Sequence, residues 1–334
     1  MLKRFAIRFA IILVTLFFVA YAALWATSFK KYPVSFGISF SPEYATSLGL
    51  DWKETYLAML NDLKPKYIRL AIPWSRVEAN KNSYRFEDID YMMNEASKHD
   101  VKVLLAFGQK VPRWPECYIP DWIKTTPANN RKGELLSYIE KVIGRYKNNS
   151  ALELWQVENE PFIKFDFGDC QVFDKNSIAE EVALVKKLDT SHRVVLTDSG
   201  ELSTWQDAAK MSDVLGVTMY RTVRTPGGFI VNYGLVPAAF YKVRAFMWGK
   251  DYNDFFVSEL QAEPWFTNGT PTNTSIEVQE QTASIDQLSK NISYAQYVGA
   301  SRAYLWGVEW WYWMKTKQSD SKYWNEVKGV LEMK

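Results

Sequence analysis

The chain has 334 residues, 47% apolar and 16% aromatic, with 14 tryptophans, so it has material for a sizeable core and more aromatic side chains than core packing normally recruits. Its 40 basic and 38 acidic residues are interspersed and leave a formal charge of +2, which gives no electrostatic footprint for nucleic acid and excludes that class of partner. Two cysteines, Cys117 and Cys170, exclude a four-cysteine zinc site.

The first element is an uncharged run from Phe9 to Ala26, preceded by Lys3, Arg4 and Arg8. It reaches about the minimum length that spans hydrocarbon. A buried soluble helix would carry a polar face, and this run has none. Lys30 and Lys31 weaken the positive-inside bias, although three basic residues precede the run. Ala20-Tyr21-Ala22 offers a small-residue cleavage site, yet the run is long for a signal-peptide core. Residues 1–31 are therefore read as an uncleaved signal anchor and linker, and 32–334 as an extracytoplasmic domain. The alternative is a secreted form released by cleavage.

Eight strand candidates follow: Val34 to Phe40, Tyr67 to Ile72, Val101 to Phe107, Leu152 to Val157, Arg193 to Thr197, Val214 to Tyr220, Phe255 to Glu259 and Ala303 to Trp306. Most are short, β-branched or aromatic, and nearly continuously apolar, as parallel strands buried on both faces must be. Between them the period changes to that of helices. Ile89, Met92, Met93 and Ala96 form one apolar stripe, Leu135, Ile139, Val142 and Tyr146 a second, and Ile285, Leu288, Ile292 and Ala295 a third.

Strand and helix alternating about eight times predict one α/β domain, a single (β/α)8 TIM barrel, because each right-handed crossover needs a covering helix. An open doubly wound sheet is disfavoured, since Ser39-Phe40-Ser41-Pro42 stands where a glycine-rich phosphate loop would follow the first strand. Arg221 to Leu235, with Pro226-Gly227-Gly228, and Ala262 to Thr274, with Asn268-Gly269, are expected as long loops. In a barrel Cys117 and Cys170 follow the third and fourth strands on neighbouring loops of one face. Export favours a disulfide between them, with two unrelated thiols as the alternative.

Two glutamates end apolar stretches: Glu160 in Trp155-Gln156-Val157-Glu158-Asn159-Glu160-Pro161, and Glu259 in Phe255-Phe256-Val257-Ser258-Glu259-Leu260-Gln261. Paired carboxyl groups can cleave a glycosidic bond with retention, one protonating the leaving oxygen and the other attacking the anomeric carbon. Asn159-Glu160-Pro161 after the fourth strand and Glu259 after the seventh resemble the clan A glycoside hydrolases, over nearly the whole exported region. Arg69 in Tyr67-Ile68-Arg69-Leu70 resembles that clan's second-strand arginine, and Trp306 in Leu305-Trp306-Gly307 its eighth-strand aromatic. Family 5 is the nearest general likeness, and the run Trp155 to Glu160 is also similar to the family 42 β-galactosidases.

The resemblance implies a (β/α)8 fold with acid/base and nucleophile at the ends of strands four and seven. Glu160 is then the acid/base and Glu259 the nucleophile. Arg69 would favour and orient the ionised nucleophile, with Tyr220 donating to the same carboxylate. Asn159 would bond a sugar 2-hydroxyl, and Trp306 would form a sugar platform. Glu158 is read as pairing with a base rather than as a second inward carboxylate. Thr218 stands where many family 5 members have a histidine. His99 and His192 precede buried strands and belong at the opposite end of the barrel.

The expected function is a retaining glycoside hydrolase acting on β-linked oligo- or polysaccharide. Two carboxyl groups suffice for this chemistry, so no metal or organic cofactor is required. The membrane is the other expected partner. A noncatalytic carbohydrate-binding barrel tethered to the envelope and a transglycosylase are the alternatives.

Overall fold

The computed structural model describes residues 2–163, 174–267 and 269–332. Helix Leu2–Thr27 comes first; its Arg4–Thr27 portion is long and apolar enough to cross a membrane and is exposed except at half-buried Tyr21, Leu24 and Trp25. The strands β1 Ser35–Ser39, β2 Tyr67–Pro73, β3 Lys102–Gly108, β4 Leu152–Val157, β5 Arg193–Asp198, β6 Val214–Met219, β7 Phe255–Gln261 and β8 Arg302–Trp306 form a closed barrel. Each pairs in parallel with its sequence neighbours, and β1 closes the ring onto β8.

The sequence boundaries hold to within two residues. Every residue of β6 and β7 is buried, which is why these strands read as unbroken apolar runs. The covering helices Glu87–Lys98, Ala128–Tyr146 and Ile285–Ala295 turn their predicted stripes inward. Ile89, Met92, Met93, Ala96, Leu135, Ile139, Val142, Tyr146, Leu288, Ile292 and Ala295 are buried, and Ile285 is half-buried.

The core has two parts. The larger fills the space between strands and helices. The smaller lies inside the barrel, where Leu104, Leu154, Val195, Val214, Phe256 and Tyr304 meet with Tyr67 packed against them.

The segment expected as a long loop from Arg221 to Leu235 is partly structured: Thr222–Arg224 pairs antiparallel with Ile230–Asn232. Two short β-branched stretches flank Pro226-Gly227-Gly228, and Gly228 takes the positive φ of 83° that lets the chain reverse. Among the described residues, the expected loop from Ala262 to Thr274 carries the short turn Pro271–Asn273, capped reciprocally by Thr270 and Asn273; Asn268 within it lies outside the described residues.

Candidate active site

Side chains alternate along a strand, so the residue two positions beyond the interior layer also points into the barrel. From Tyr67, Leu154, Val195, Phe256 and Tyr304 that step gives Arg69, Gln156, Thr197, Ser258 and Trp306. On β6 it gives Gly216, where a Cβ would come within 2.9 Å of Thr197 and 3.1 Å of Ser258. The interior thus becomes polar toward the C-terminal ends of the strands, the end at which this fold builds its sites.

Arg69 organises this layer. Its Nη1 donates to Glu259 Oε1 at 2.7 Å, its Nη2 to Asn159 Oδ1 at 2.8 Å, and its Nε to Gln156 Oε1 at 2.9 Å. The guanidinium is buried, so it holds Glu259 of β7 and Gln156 and Asn159, in and just after β4, in one arrangement. Tyr220, directly after β6, donates its hydroxyl to Glu259 Oε2 at 2.6 Å. Burial and the neighbouring Glu259 charge raise the Tyr220 pKa well above the ordinary phenol range, so Tyr220 stays a donor. Each oxygen of Glu259 therefore accepts a hydrogen bond, and the carboxylate is oriented from two strands.

Glu160 has different surroundings. Thr218 Oγ1 donates to Glu160 Oε1 at 2.9 Å, and the Glu160 backbone N–H donates to Thr197 Oγ1, also at 2.9 Å. Burial, then the charges of Glu259 and Glu116, push the Glu160 carboxyl up to about 8. Glu160 is thus a protonated acid at neutral pH beside an oriented carboxylate. Only 7% of Glu160 and 5% of Glu259 is exposed.

Glu158 was expected to pair with a base, and the hydrogen bonds that hold it come from backbone N–H groups. Its Oε1 accepts from the Gln109 backbone N–H at 2.8 Å and its Oε2 from that of Lys110 at 2.6 Å. Its further neighbours include the buried carboxyl of Glu181, on helix Lys175–Leu188, and the charge of Lys110, which pulls its pKa down. Burial pushes Glu158 up to about 7, and burial followed by the Glu158 charge raises Glu181 well above the usual carboxylate range. Both raised pKa values fit a proton held between these two buried acids. Gly108 makes the approach possible, since a Cβ there would stand 2.4 Å from the Glu158 carboxyl carbon.

The segment after β3 adds residues that the sequence reading missed. Val111 N bonds Glu116 O at 2.9 Å and Tyr118 N bonds Gln109 O at 2.8 Å, closing residues 109–118 into a compact excursion. It carries Lys110, whose Nζ lies 3.1 Å from Glu116 Oε2. It also carries Arg113, which bonds Glu263 and, at 2.8 Å, Glu309. The Arg113 guanidinium lies 3.9 Å from the Tyr44 ring centre and 4.1 Å from that of Trp306. The expected sugar platform Trp306 is thus stacked by an arginine of its own chain. The charged residues Lys110, Arg113 and Glu116, three positions apart, were the available signal for this excursion.

Thr218, which stands where many family 5 members have a histidine, donates its hydroxyl to the acid/base candidate Glu160. His99 and His192 lie before β3 and β5, at the N-terminal end of the barrel. There His99 meets Glu95 O and Asn61, and His192 meets Asp189. Cys117 is in the excursion after β3; Cys170 lies outside the described residues.

Residues 30–179 match the model of glycosyl hydrolase family 10. Mannan endo-1,4-beta-mannosidase A of Hypocrea jecorina is 25% identical over 186 residues, which cover 52% of this chain and 39% of that protein. The chain therefore spans well under half the length of that relative. Among solved structures, a beta-galactosidase from Marinomonas ef1 matches with TM-score 0.60 and 12% identity, over 90% of this chain and 59% of that one. A GH5_18 protein of Bifidobacterium longum in complex with Manb1-4GlcNAc matches with TM-score 0.57 and 11% identity, over 82% of this chain and 68% of that one. The numbered families differ among these likenesses. What they share with the barrel described above supports the clan.

Proposed function

We propose that this clan A (β/α)8 glycoside hydrolase cleaves β-glycosidic bonds by double displacement with retention, Glu259 acting as nucleophile and Glu160 as acid/base. The observation that carries this is the contrast between the two carboxyl groups. Glu259 is bonded by Arg69 and Tyr220, while Glu160 is buried, bonded by Thr218 and pushed up to about 8.

In the first step a Glu259 oxygen bonds to the anomeric carbon as the glycosidic C–O bond breaks, and Glu160 gives its proton to the leaving oxygen. In the second, water gives a proton to Glu160 and attacks the anomeric carbon, releasing Glu259. Asn159 accepts from Arg69 through its carbonyl oxygen, which leaves its NH2 group to meet the sugar 2-hydroxyl.

The likenesses to a mannan endo-1,4-beta-mannosidase and to a protein solved with Manb1-4GlcNAc favour a β-mannoside as substrate. The test is incubation with a slow 2-deoxy-2-fluoro-β-mannoside, followed by peptide mass spectrometry. A covalent adduct on Glu259 is expected, and an adduct on any other residue would overturn the assignment. Absence of turnover across a panel of aryl β-hexosides would favour the carbohydrate-binding alternative.

Two further expectations belong to this reading. Helix Leu2–Thr27 anchors the domain outside the cytoplasm, so fractionation should find the intact chain in membranes with its barrel open to external protease. A soluble form beginning at Ala23 would refute the anchor. Cys117 and Cys170 form a disulfide, so the unfolded, unreduced protein should give no thiol reaction.

A further inference from the structure

Helix Leu2–Thr27 does more than precede the barrel. Tyr21, inside the apolar stretch, donates its hydroxyl to the backbone oxygen of Leu235 at 2.7 Å. Just past the helix, Ser28 Oγ accepts from the Ala239 N–H at 2.9 Å, at the start of helix Ala239–Met247. Two bonds more than 200 residues apart in sequence thus seat the end of the apolar helix against one side of the barrel.

The depth of that seat matters. Tyr21 precedes the helix end at Thr27 by six residues, which at the rise of an α-helix is about 9 Å. A spanning helix therefore carries Leu235 to the depth of the boundary between headgroups and acyl chains, about 5–10 Å below the surface, where interfacial elements lie.

The side chains around this point suit that depth. Leu235 is 79% exposed, and Phe229, at the tip of the hairpin Thr222–Asn232, is 76% exposed. Ile230, Val231 and Phe29 are exposed with them. Bare apolar side chains of this kind are costly in water and favourable in a bilayer interface. Basic groups flank it: Lys30, Lys31 and Lys242 are exposed, and Lys30 and Lys242 both lie over the Tyr32 ring. Those cations are placed for lipid phosphates.

We propose that the hairpin after β6 and Leu235 dock into the same bilayer that helix Leu2–Thr27 spans, as a second, monotopic membrane contact. The hairpin follows the C-terminal end of β6, and the Gln261 side chain at the end of β7 accepts from the Thr222 N–H at 2.9 Å. Docking there holds the rim of the cleft containing Glu160 and Glu259 at the membrane surface, where glycans borne by the membrane pass. The proposal rests on the reading of the helix as an anchor.

The full chain is reconstituted into vesicles of phosphatidylcholine with a minor fraction of phosphatidylglycerol. Phe229→Cys, Leu235→Cys and, as control, Glu140→Cys are labelled with bimane, with the unsubstituted chain as background. Glu140 is exposed on the helix covering β3 and β4, away from the hairpin. All three positions are on the surface, so labelling leaves the core intact. Lipid-borne nitroxide should quench the probes at 229 and 235 about threefold more than the probe at 140. Equal quenching at all three positions in a chain that floats with the vesicles overturns the docking while the anchor stands. A chain that fails to float with vesicles overturns both.

Discussion

Glu158 and Glu160 follow the same strand, two residues apart, both at positive φ (56° and 45°), both buried and both with a raised carboxyl pKa. They serve different regions of the molecule. Glu160 opens into the barrel mouth beside Glu259, whereas Glu158 turns to the start of the excursion after β3 and to Glu181 on a covering helix. The lesson is that a strongly raised pKa records burial and does not by itself mark a catalytic group. The partner makes the distinction: Glu160 neighbours a carboxylate oriented by a cation, and Glu158 neighbours a second acid.

The comparison can be broken most sharply at the proposed nucleophile. Glu259→Ala should lower kcat by about 10⁴-fold or more, and azide should restore turnover with an inverted product. Glu160→Ala should cost about 10²–10⁴-fold on substrates with poor leaving groups and far less on activated aryl glycosides, with azide giving a retained product. Product stereochemistry by NMR separates the two; the same outcome from both variants would contradict the division of labour.

A smaller effect sharpens the support around Glu259. Tyr220→Phe removes one hydrogen bond to a charged group and should lower kcat/KM about 10-fold to 100-fold, read by steady-state kinetics. The pH profile tests the comparison directly. In kcat/KM the basic limb should fall as Glu160 loses its proton near pH 8. Glu158→Gln should leave that limb in place, and a shift of the limb in this variant would mean that the two regions titrate together.

The mildest expected effect concerns stability. Glu158 is pushed up to about 7 in the folded chain, against about 4.3 for an unperturbed glutamate. The folded state then binds the extra proton, so this group's contribution falls as pH rises from the unfolded value through about 7. Glu181→Gln supplies an N–H donor to Glu158 and removes the second acid. Thermal unfolding at pH 8 should then occur a few degrees higher than in the unsubstituted protein. A lower Tm at pH 8 would refute the shared-proton account of this pair.

Much of the site was legible because its signals are local. Glu160 sits in Asn159-Glu160-Pro161 at a strand end and Glu259 ends an apolar run, so period and context point to both. Gln156 and Thr197 were legible only as strand residues and Thr218 only as a departure from the family 5 histidine; which polar group each meets depends on strands that are distant in the chain. The excursion 109–118 was hardest to foresee, because its conformation follows from Arg113 reaching Glu263 and Glu309, 150 and 196 positions away.

By itself, the sequence determined the alternation of strands and helices, hence the closed barrel, because burial on both faces of a strand and on one face of a helix leaves a periodic mark in the chain. It also determined which two glutamates stand at the ends of the fourth and seventh strands. The tertiary structure alone decided that Glu160 faces the mouth while Glu158 faces Glu181, that Arg69 reaches Glu259 across 190 positions, and that Arg113 covers Trp306. Those outcomes depend on hydrogen-bond geometry and charge in a shared buried volume, which no local pattern of residues records.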